Sequence, residues 1–232
     1  MYDPTQGKGI LPQDDAARYH KKDFWSKENL NFSQPHVRHE KTAQIVNRLA
    51  KGRECTLLDV GCGPAALMRL LPSNIQYYGI DIAIPNPAPN LIEADLLETP
   101  VRFGDKHFDI ITALGVFEYV GNLQSQKFYE IAQLLNEGGR FIVSYWNFGH
   151  RNTTISKAFS NVQSLDDFRR ALTRYFNIDR SYPVSHNWKH EWPGRELNKA
   201  INMHVNMNIP FIGPILAVEY FFVCSPLETG RA

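Results

Sequence analysis

Three aspartates carry the most legible chemistry in this chain: Asp59, Asp81 and Asp95, each in or at the end of a short apolar run. Leu57-Leu58-Asp59-Val60 leads into Gly61-Cys62-Gly63, where two glycines permit a tight turn and a close approach of backbone to ligand. A helix starting near Pro64 is expected to aim its free N–H groups above that turn, and Cys62 to turn its backbone N–H toward the ligand rather than offer a reactive thiol. Asp59, two residues before Gly61, is expected to reach the turn's own amides or a cationic ligand group, and it would repel a pyrophosphate. Asp81 ends Gln76-Tyr77-Tyr78-Gly79-Ile80-Asp81, where a carboxylate suits the paired hydroxyls of a ribose. Asp95 follows Leu91-Ile92-Glu93-Ala94 and suits an exocyclic amine such as that of adenine. The pattern describes a nucleoside pocket.

These residues need strands to hold them. Apolar runs near 55–60, 76–81, 90–94, 108–114 and 140–146 alternate with helical patterns at 64–71 and 122–136, an alternation that predicts a parallel sheet. Ile84-Pro85-Asn86-Pro87-Ala88-Pro89 has prolines at alternate positions and must cross the sheet end as an extended loop. Ahead of the first strand, Thr42, Ile45, Val46 and Leu49 make one helical stripe after Ser33 and Pro35, with Gly52 placed to end it. Beyond the fifth strand, Ser164 and Asp167 form a capping pair for a helix whose apolar side is Phe168, Ala171, Leu172 and Tyr175. Strands are expected around 178–184 and 215–224, with 227–232 as a loose tail. Residues 1–35 read as a separate N-terminal arm and helical lid, with a helix from Asp14 through Trp25, and 36–232 as the main domain.

Together the acidic glycine turn, the strand-end Asp81 and the later Asp95 resemble the class I S-adenosylmethionine-dependent methyltransferases over roughly residues 53–146. Phe108-Asp109-Ile110-Ile111-Thr112-Ala113-Leu114-Gly115-Val116-Phe117-Glu118-Tyr119-Val120 is similar to that family's fourth strand, and Asn136-Glu137-Gly138-Gly139-Arg140-Phe141-Ile142-Val143 to its turn into the fifth. The resemblance implies a Rossmann-like, doubly wound α/β fold with a seven-stranded, mostly parallel sheet whose last strand inserts antiparallel beside the sixth. It implies S-adenosylmethionine as cofactor, bound by Asp59, Gly61, Cys62, Gly63, Asp81, Ile82, Asp95, Leu96 and Gly115. Two positions depart from the family: Ala65 stands where a third glycine is common, and Tyr119 where a histidine is common. Leu114-Gly115-Val116-Phe117 replaces the N/D-P-P-Y/F/W tetrapeptide of many amino-group- and nucleic-acid-base-methylating members, which points away from base or glutamine methylation.

The resulting expectation is in-line methyl transfer to a hydroxyl, or next an amine, of a small-molecule metabolite. Candidate proton acceptors are His150, His186 and Tyr119, because loops at the carboxyl ends of strands face the ligand crevice. Glu118 is read as a charge complementing a helix N-terminus, with an active-site acid as the alternative. His186 and His190 share a metal-compatible spacing, but Trp188 and Pro193 argue against a regular helix there and no third ligand is evident; His36 and His39 are read the same way. No metal is expected. Tyr19, Phe24 and Trp25 can be core residues or can offer ring faces to a sulfonium. Net charge is +1, from 25 basic and 24 acidic residues, which disfavours nucleic acid. Cys55, Cys62 and Cys224 form no disulfide framework, and no apolar run or leader marks a membrane, so a cytoplasmic protein is expected. The oligomeric state is open. Two rival classes share the glycine turn: a nicotinamide-dependent oxidoreductase, which has no use for Asp59 or Asp95, and a non-catalytic cofactor-binding subunit.

Overall fold

The computed structural model describes residues 22–31, 33–148, 159–186 and 217–227. Seven strands form one sheet: β1 (Cys55–Val60), β2 (Ile75–Asp81), β3 (Leu91–Glu93), β4 (Phe108–Ala113), β5 (Leu135–Trp146), β6 (Phe176–His186) and β7 (Ala217–Pro226). Their order is β3-β2-β1-β4-β5-β7-β6, parallel except where β7 runs antiparallel between β5 and β6. This is the expected Rossmann-like sheet with its antiparallel last strand.

Both faces of the sheet are covered, and the strands read as nearly unbroken apolar runs for that reason. Successive side chains point to opposite faces, so Leu57, Ile110, Ile142 and Phe221 pack with Ile45, Val46 and Ala50 of helix α2 (Val37–Ala50). Their neighbours Leu58, Ile111, Phe141, Val143 and Phe222 pack on the other face. There, helices α3 (Gln124–Leu134) and α4 (Leu165–Leu172) bring Phe128 and Phe168 into a ring cluster with Phe117, Tyr145 and Phe176. Tyr145 and Phe168 stack with centroids 4.0 Å apart, and the Tyr145 hydroxyl donates to the Asn161 carbonyl. The Ser164 hydroxyl caps α4 by accepting from the Asp167 N–H, as the capping pair predicts.

Several local expectations need correction. No α-helix follows the glycine turn: turns lead to a short 3-10 segment at Leu67–Leu70, because Ala65 adopts a left-handed φ of 55° that breaks a helical run at its start. Helix α2 is ended by Lys51, at φ 51°, one residue before Gly52. Strand β5 starts at Leu135, and its register with β4 slips between Phe108 and Ile110, so Asn136 to Gly139 bulge out within the strand. Helix α1 (Lys22–Asn31) lies within the expected lid; the start of the predicted helix at Asp14 falls outside the described residues.

Candidate active site

The strand order reverses between β1 and β4, and at their carboxyl ends a cavity of about 440 Å³ opens. Its lining brings together Asp59, Gly61, Cys62, Gly63, Asp81, Ile82, Asp95, Leu96 and Gly115, all nine of the residues expected to bind a cofactor. Tyr119 is there too. His150 lies outside the described residues, and His186 closes β6 opposite Ala217, its side chain outside the description.

The glycine turn is built differently from the expectation. The N–H groups of Gly61 and Cys62 donate to the Ile80 carbonyl at 2.8 and 3.2 Å, and the Gly63 N–H donates to Asp81 Oδ2 at 2.8 Å. The turn's amides, Cys62 included, are thus spent on β2. What the turn gives a ligand is close approach: Gly61, at φ 74°, has Val116 so near that an added Cβ would sit 2.4 Å from its Cγ2. The Cys62 thiol is buried and its pKa is pushed far up by burial and then by Asp59, so it is inert.

Asp59 does not reach the turn's amides either. Its Oδ1 accepts from the Thr112 hydroxyl at 2.6 Å and its Oδ2 from the Tyr77 hydroxyl at 2.8 Å. Burial raises its pKa to about 6, the two hydroxyl hydrogen bonds oppose that rise, and nearby Asp81 adds to it. A cation above it would restore full ionisation. Asp81 is buried, not an exposed strand end: its Oδ2 holds Gly63 and its Oδ1 accepts from the Ala83 N–H at 3.0 Å. It therefore clamps the turn as well as facing the cavity. Asp95 Oδ1 accepts from the Leu97 N–H at 2.8 Å.

Helix α2 supplies Arg38, which sequence reasoning missed, and His36 and His39, which it weighed only as metal ligands. His36, Arg38 and His39 at its first turn line the cavity. The Arg38 guanidinium lies over Gly115, where an added Cβ would sit 2.5 Å from Nη1, and its Nη2 is 3.8 Å from Glu219 Oε1. His39 Nδ1 accepts the His36 backbone N–H at 2.9 Å, which leaves the ring hydrogen on Nε2. Burial first, then the charges of Arg38 and His36, lower its pKa to about 4. His39 is thus a neutral donor toward the cavity.

Glu118 also departs from its reading as a helix-terminal charge. It is fully buried; its Oε1 accepts the Trp146 N–H at 3.0 Å, and Oε2 has no hydrogen-bond partner among the described residues. Burial, then Glu219, raise its pKa to about 8. Around the same mouth stand Trp25, Tyr119, Trp146 and Phe159. Trp146, the last residue of β5, was readable as a strand-end position; nothing in the sequence pointed to Phe159. Among the described residues, no three His, Cys, Asp or Glu side chains gather as a metal site, and no helix is long and apolar enough to cross a membrane.

A doubly wound sheet with a glycine turn and successive strand-end acids at its switch point defines a class of nucleoside-cofactor enzyme. A family described as "Methyltransferase domain" matches residues 35–204, so the chain belongs to the class I S-adenosylmethionine-dependent methyltransferases, with S-adenosylmethionine as cofactor. No curated protein matches the chain significantly. Among solved structures, the CcbJ methyltransferase from Streptomyces caelestis superposes with a TM-score of 0.57 at 12% identity, covering 83% of this chain and 90% of that one. A putative methyltransferase complexed with the Haloferax volcanii Trm112 activator gives 0.58 at 17% identity over 93% and 98%. A Clostridium acetobutylicum S-adenosylmethionine-dependent methyltransferase gives 0.56 at 11% over 85% and 95%. At these identities the likeness is one of fold.

The cavity's donor set fits this cofactor. Acids suited to a diol and an amine, apolar Ile82 and Leu96 beside them, a buried carboxylate for a cation and a guanidinium for a carboxylate lie in one space.

Proposed function

We propose that the protein transfers a methyl group to a hydroxyl or an amine of a small-molecule metabolite. The observation carrying this reading is that one cavity holds both the cofactor-type acids and, beside Gly115, a mouth walled by Trp25, Tyr119, Trp146 and Phe159. Such a mouth is largely apolar, suited to a small-molecule substrate, and the near-zero net charge offers no track for a polyanion.

The bound cofactor supplies an electrophilic methyl on a sulfonium, and the chain's own residues align a nucleophile and exclude water. Asp81 accepts from the ribose hydroxyls, using lone pairs left beside its two backbone bonds. Ile82 and Leu96 flank the purine, and the second oxygen of Asp95 accepts its amine. Asp59 stabilises the cationic end, Arg38 takes the carboxylate with its donor fork, and Gly61, Gly63 and Gly115 permit the approach. Cys62 serves as buried packing beneath Gly79. Tyr119, His150 and His186 are the candidate proton acceptors; His39, with Nδ1 already engaged, is a positioning donor.

Residues 1–35 act as the lid over the 36–232 domain. Trp25 of α1 packs edge-on against Tyr119 at 5.0 Å, and Lys22 pairs with Glu93 of β3, so α1 lies across the mouth. Limited proteolysis tests this: cleavage in 1–35 slows when cofactor and substrate are present, and equal rates exclude closure there. The cytoplasm is the compartment assigned.

Calorimetry with S-adenosylmethionine, its demethylated product and a nicotinamide dinucleotide tests the cofactor site. Binding of the sulfur nucleosides alone is expected, whereas binding of the nicotinamide alone overturns the reading. Incubating a metabolite extract with isotope-labelled methyl donor then identifies the acceptor, and binding without turnover across it favours a non-catalytic subunit.

A further inference from the structure

Resting on the methyltransferase reading, we propose that the acceptor is an amine whose charged forms are held by the aromatic wall of Trp25, Tyr119, Phe159 and Trp146, with Glu219 behind it. The wall is continuous although its rings come from four separate parts of the chain. Trp25 and Tyr119 lie 5.0 Å apart at 89°, Tyr119 and Phe159 5.4 Å apart at 61°, and Phe159 and Trp146 6.3 Å apart at 39°. Rings turned in succession make a curved surface, and all four line the same cavity. Aromatic faces attract cations through their quadrupole, most strongly where water is excluded.

Behind the wall lie two acids, of which Glu118, its pKa raised to about 8 by burial, is held neutral near pH 7. Trp146 is bracketed by acids: its backbone N–H donates to Glu118 Oε1, and its cross-strand neighbour on β7 is Glu219. Both are within the core, at 0% and 1% exposure. The cation beside them is Arg38, 3.8 Å from Glu219, and in the proposed complex Arg38 also serves the cofactor carboxylate, which leaves less of its charge for the acids. Asp59, Asp81 and Asp95 line the same cavity. A cationic group at the ring faces is favoured there; an anionic one is opposed.

Amine methylation fits these ring faces. The bound ammonium first gives up a proton to water, and the nitrogen lone pair so freed forms the new N–C bond as the methyl's bond to the donor sulfur breaks, with that electron pair remaining on sulfur. The nitrogen becomes an ammonium again. Positive charge thus passes from the sulfur side to the nitrogen side within one aromatic enclosure. An alcohol would instead need its proton removed as the bond forms, in a field that disfavours an oxyanion.

The test uses the full-length protein saturated with S-adenosylhomocysteine and two isosteric probes, choline and 3,3-dimethylbutan-1-ol, titrated by calorimetry. Saturation itself checks the underlying cofactor reading: if S-adenosylhomocysteine does not bind, that reading fails first. Given saturation, choline is expected to bind about tenfold or more tightly than the neutral alcohol. Trp146→Leu should remove most of that preference, and Trp146→Phe should retain it. Equal or tighter binding of the alcohol, no binding of either probe at 10 mM, or an unchanged preference in a folded Trp146→Leu protein overturns the amine assignment.

Discussion

At the amino ends of the strands a depression of about 590 Å³ collects Arg48, Lys51, Arg53, Arg140 and Arg180 beside Glu54, Asp109, Glu137 and Asp179. At the carboxyl ends the cavity is smaller, about 440 Å³, and carries fewer charges. In the larger space key acids are satisfied: Asp109 accepts from the Thr56 N–H, the Thr56 hydroxyl and Asn136 Nδ2, and Arg140 Nε pairs with Asp179 at 3.0 Å. In the smaller one, burial raises the pKa of the Asp59 carboxyl to about 6, and Trp25, Tyr119, Trp146 and Phe159 share the lining with it. Size does not mark the site here. The cost of holding polar groups in perturbed states does, because such states persist where a ligand or a reaction makes use of them.

The largest difference between the two ends should appear with pH. The Glu118 carboxyl, ordinarily near 4.5, holds its proton up to about pH 8 in the folded protein. The folded state therefore binds more protons than the unfolded state across that window, and stability falls as pH rises through it. Asp59, raised to about 6, works in the same direction but only at lower pH, and His39, lowered to about 4 from 6.5, works in the opposite direction below 6.5. Between pH 6.5 and 8 Glu118 stands alone among these three, and the expected loss is about 2 kcal/mol. Glu219, Arg38 and Tyr145 are the charged and titratable groups coupled to it. Urea midpoints at pH 6.5 and 8 measure the slope. Glu118→Gln should flatten it, and an equal slope in that variant would show that the proton resides elsewhere.

A pair of aspartates gives the next contrast. Asp81→Ala removes charge-assisted bonds to a ribose worth about 1.5 to 3 kcal/mol, or roughly 10- to 100-fold in cofactor affinity, with Asp81→Asn between. It also strips the acceptor from the Gly63 and Ala83 N–H groups, so the cofactor-free protein should lose about 1 to 3 kcal/mol as well. Asp109→Ala, at the other end, should lose comparable stability from its contacts with Thr56 and Asn136 while leaving affinity for S-adenosylhomocysteine unchanged. Calorimetry and chemical denaturation on the three proteins separate the two roles; a fall in affinity for Asp109→Ala equal to that for Asp81→Ala would erase the distinction between the ends.

The fold was legible because parallel strands buried on both faces write themselves as apolar runs, and β1, β2 and β4 stand where those runs predict. The lining of the carboxyl-end cavity was legible for a related reason: Asp59, Gly61, Asp81, Asp95 and Gly115 are at strand ends, and a strand's end fixes where its last side chain goes. Their partners were not. That Asp59 would spend both oxygens on Tyr77 and Thr112 depends on the register of β1 against β2 and β4, which periodicity leaves open. Arg38 was hidden, and His39 was weighed only as a metal ligand, because one helical turn looks like any other until its start is docked. Phe159 comes from an irregular segment whose position follows from tertiary packing alone.

The smallest effect lies within the turn itself, where two residues share a left-handed backbone and differ in the space around them. Ala65 has φ 55° and Gly61 φ 74°, so an L side chain is disfavoured at both by about 1 kcal/mol. At Ala65 the methyl is buried, and burying one such group contributes about 0.8 kcal/mol, enough to offset the backbone cost. Ala65→Gly should therefore change stability by less than about 0.5 kcal/mol, which explains how this chain departs from the usual third glycine without losing the turn. Gly61→Ala has no such compensation, because its Cβ would sit 2.4 Å from Val116 Cγ2 and that short side chain cannot swing away at its tip. It should cost about 1 to 3 kcal/mol, and the displaced Val116 should weaken cofactor binding too, since both residues line the cavity. Denaturation midpoints for the two variants decide the matter: equal losses would mean that backbone strain alone governs the turn, whereas a loss confined to Gly61→Ala shows that the crowding against Val116 is what reserves this position for glycine.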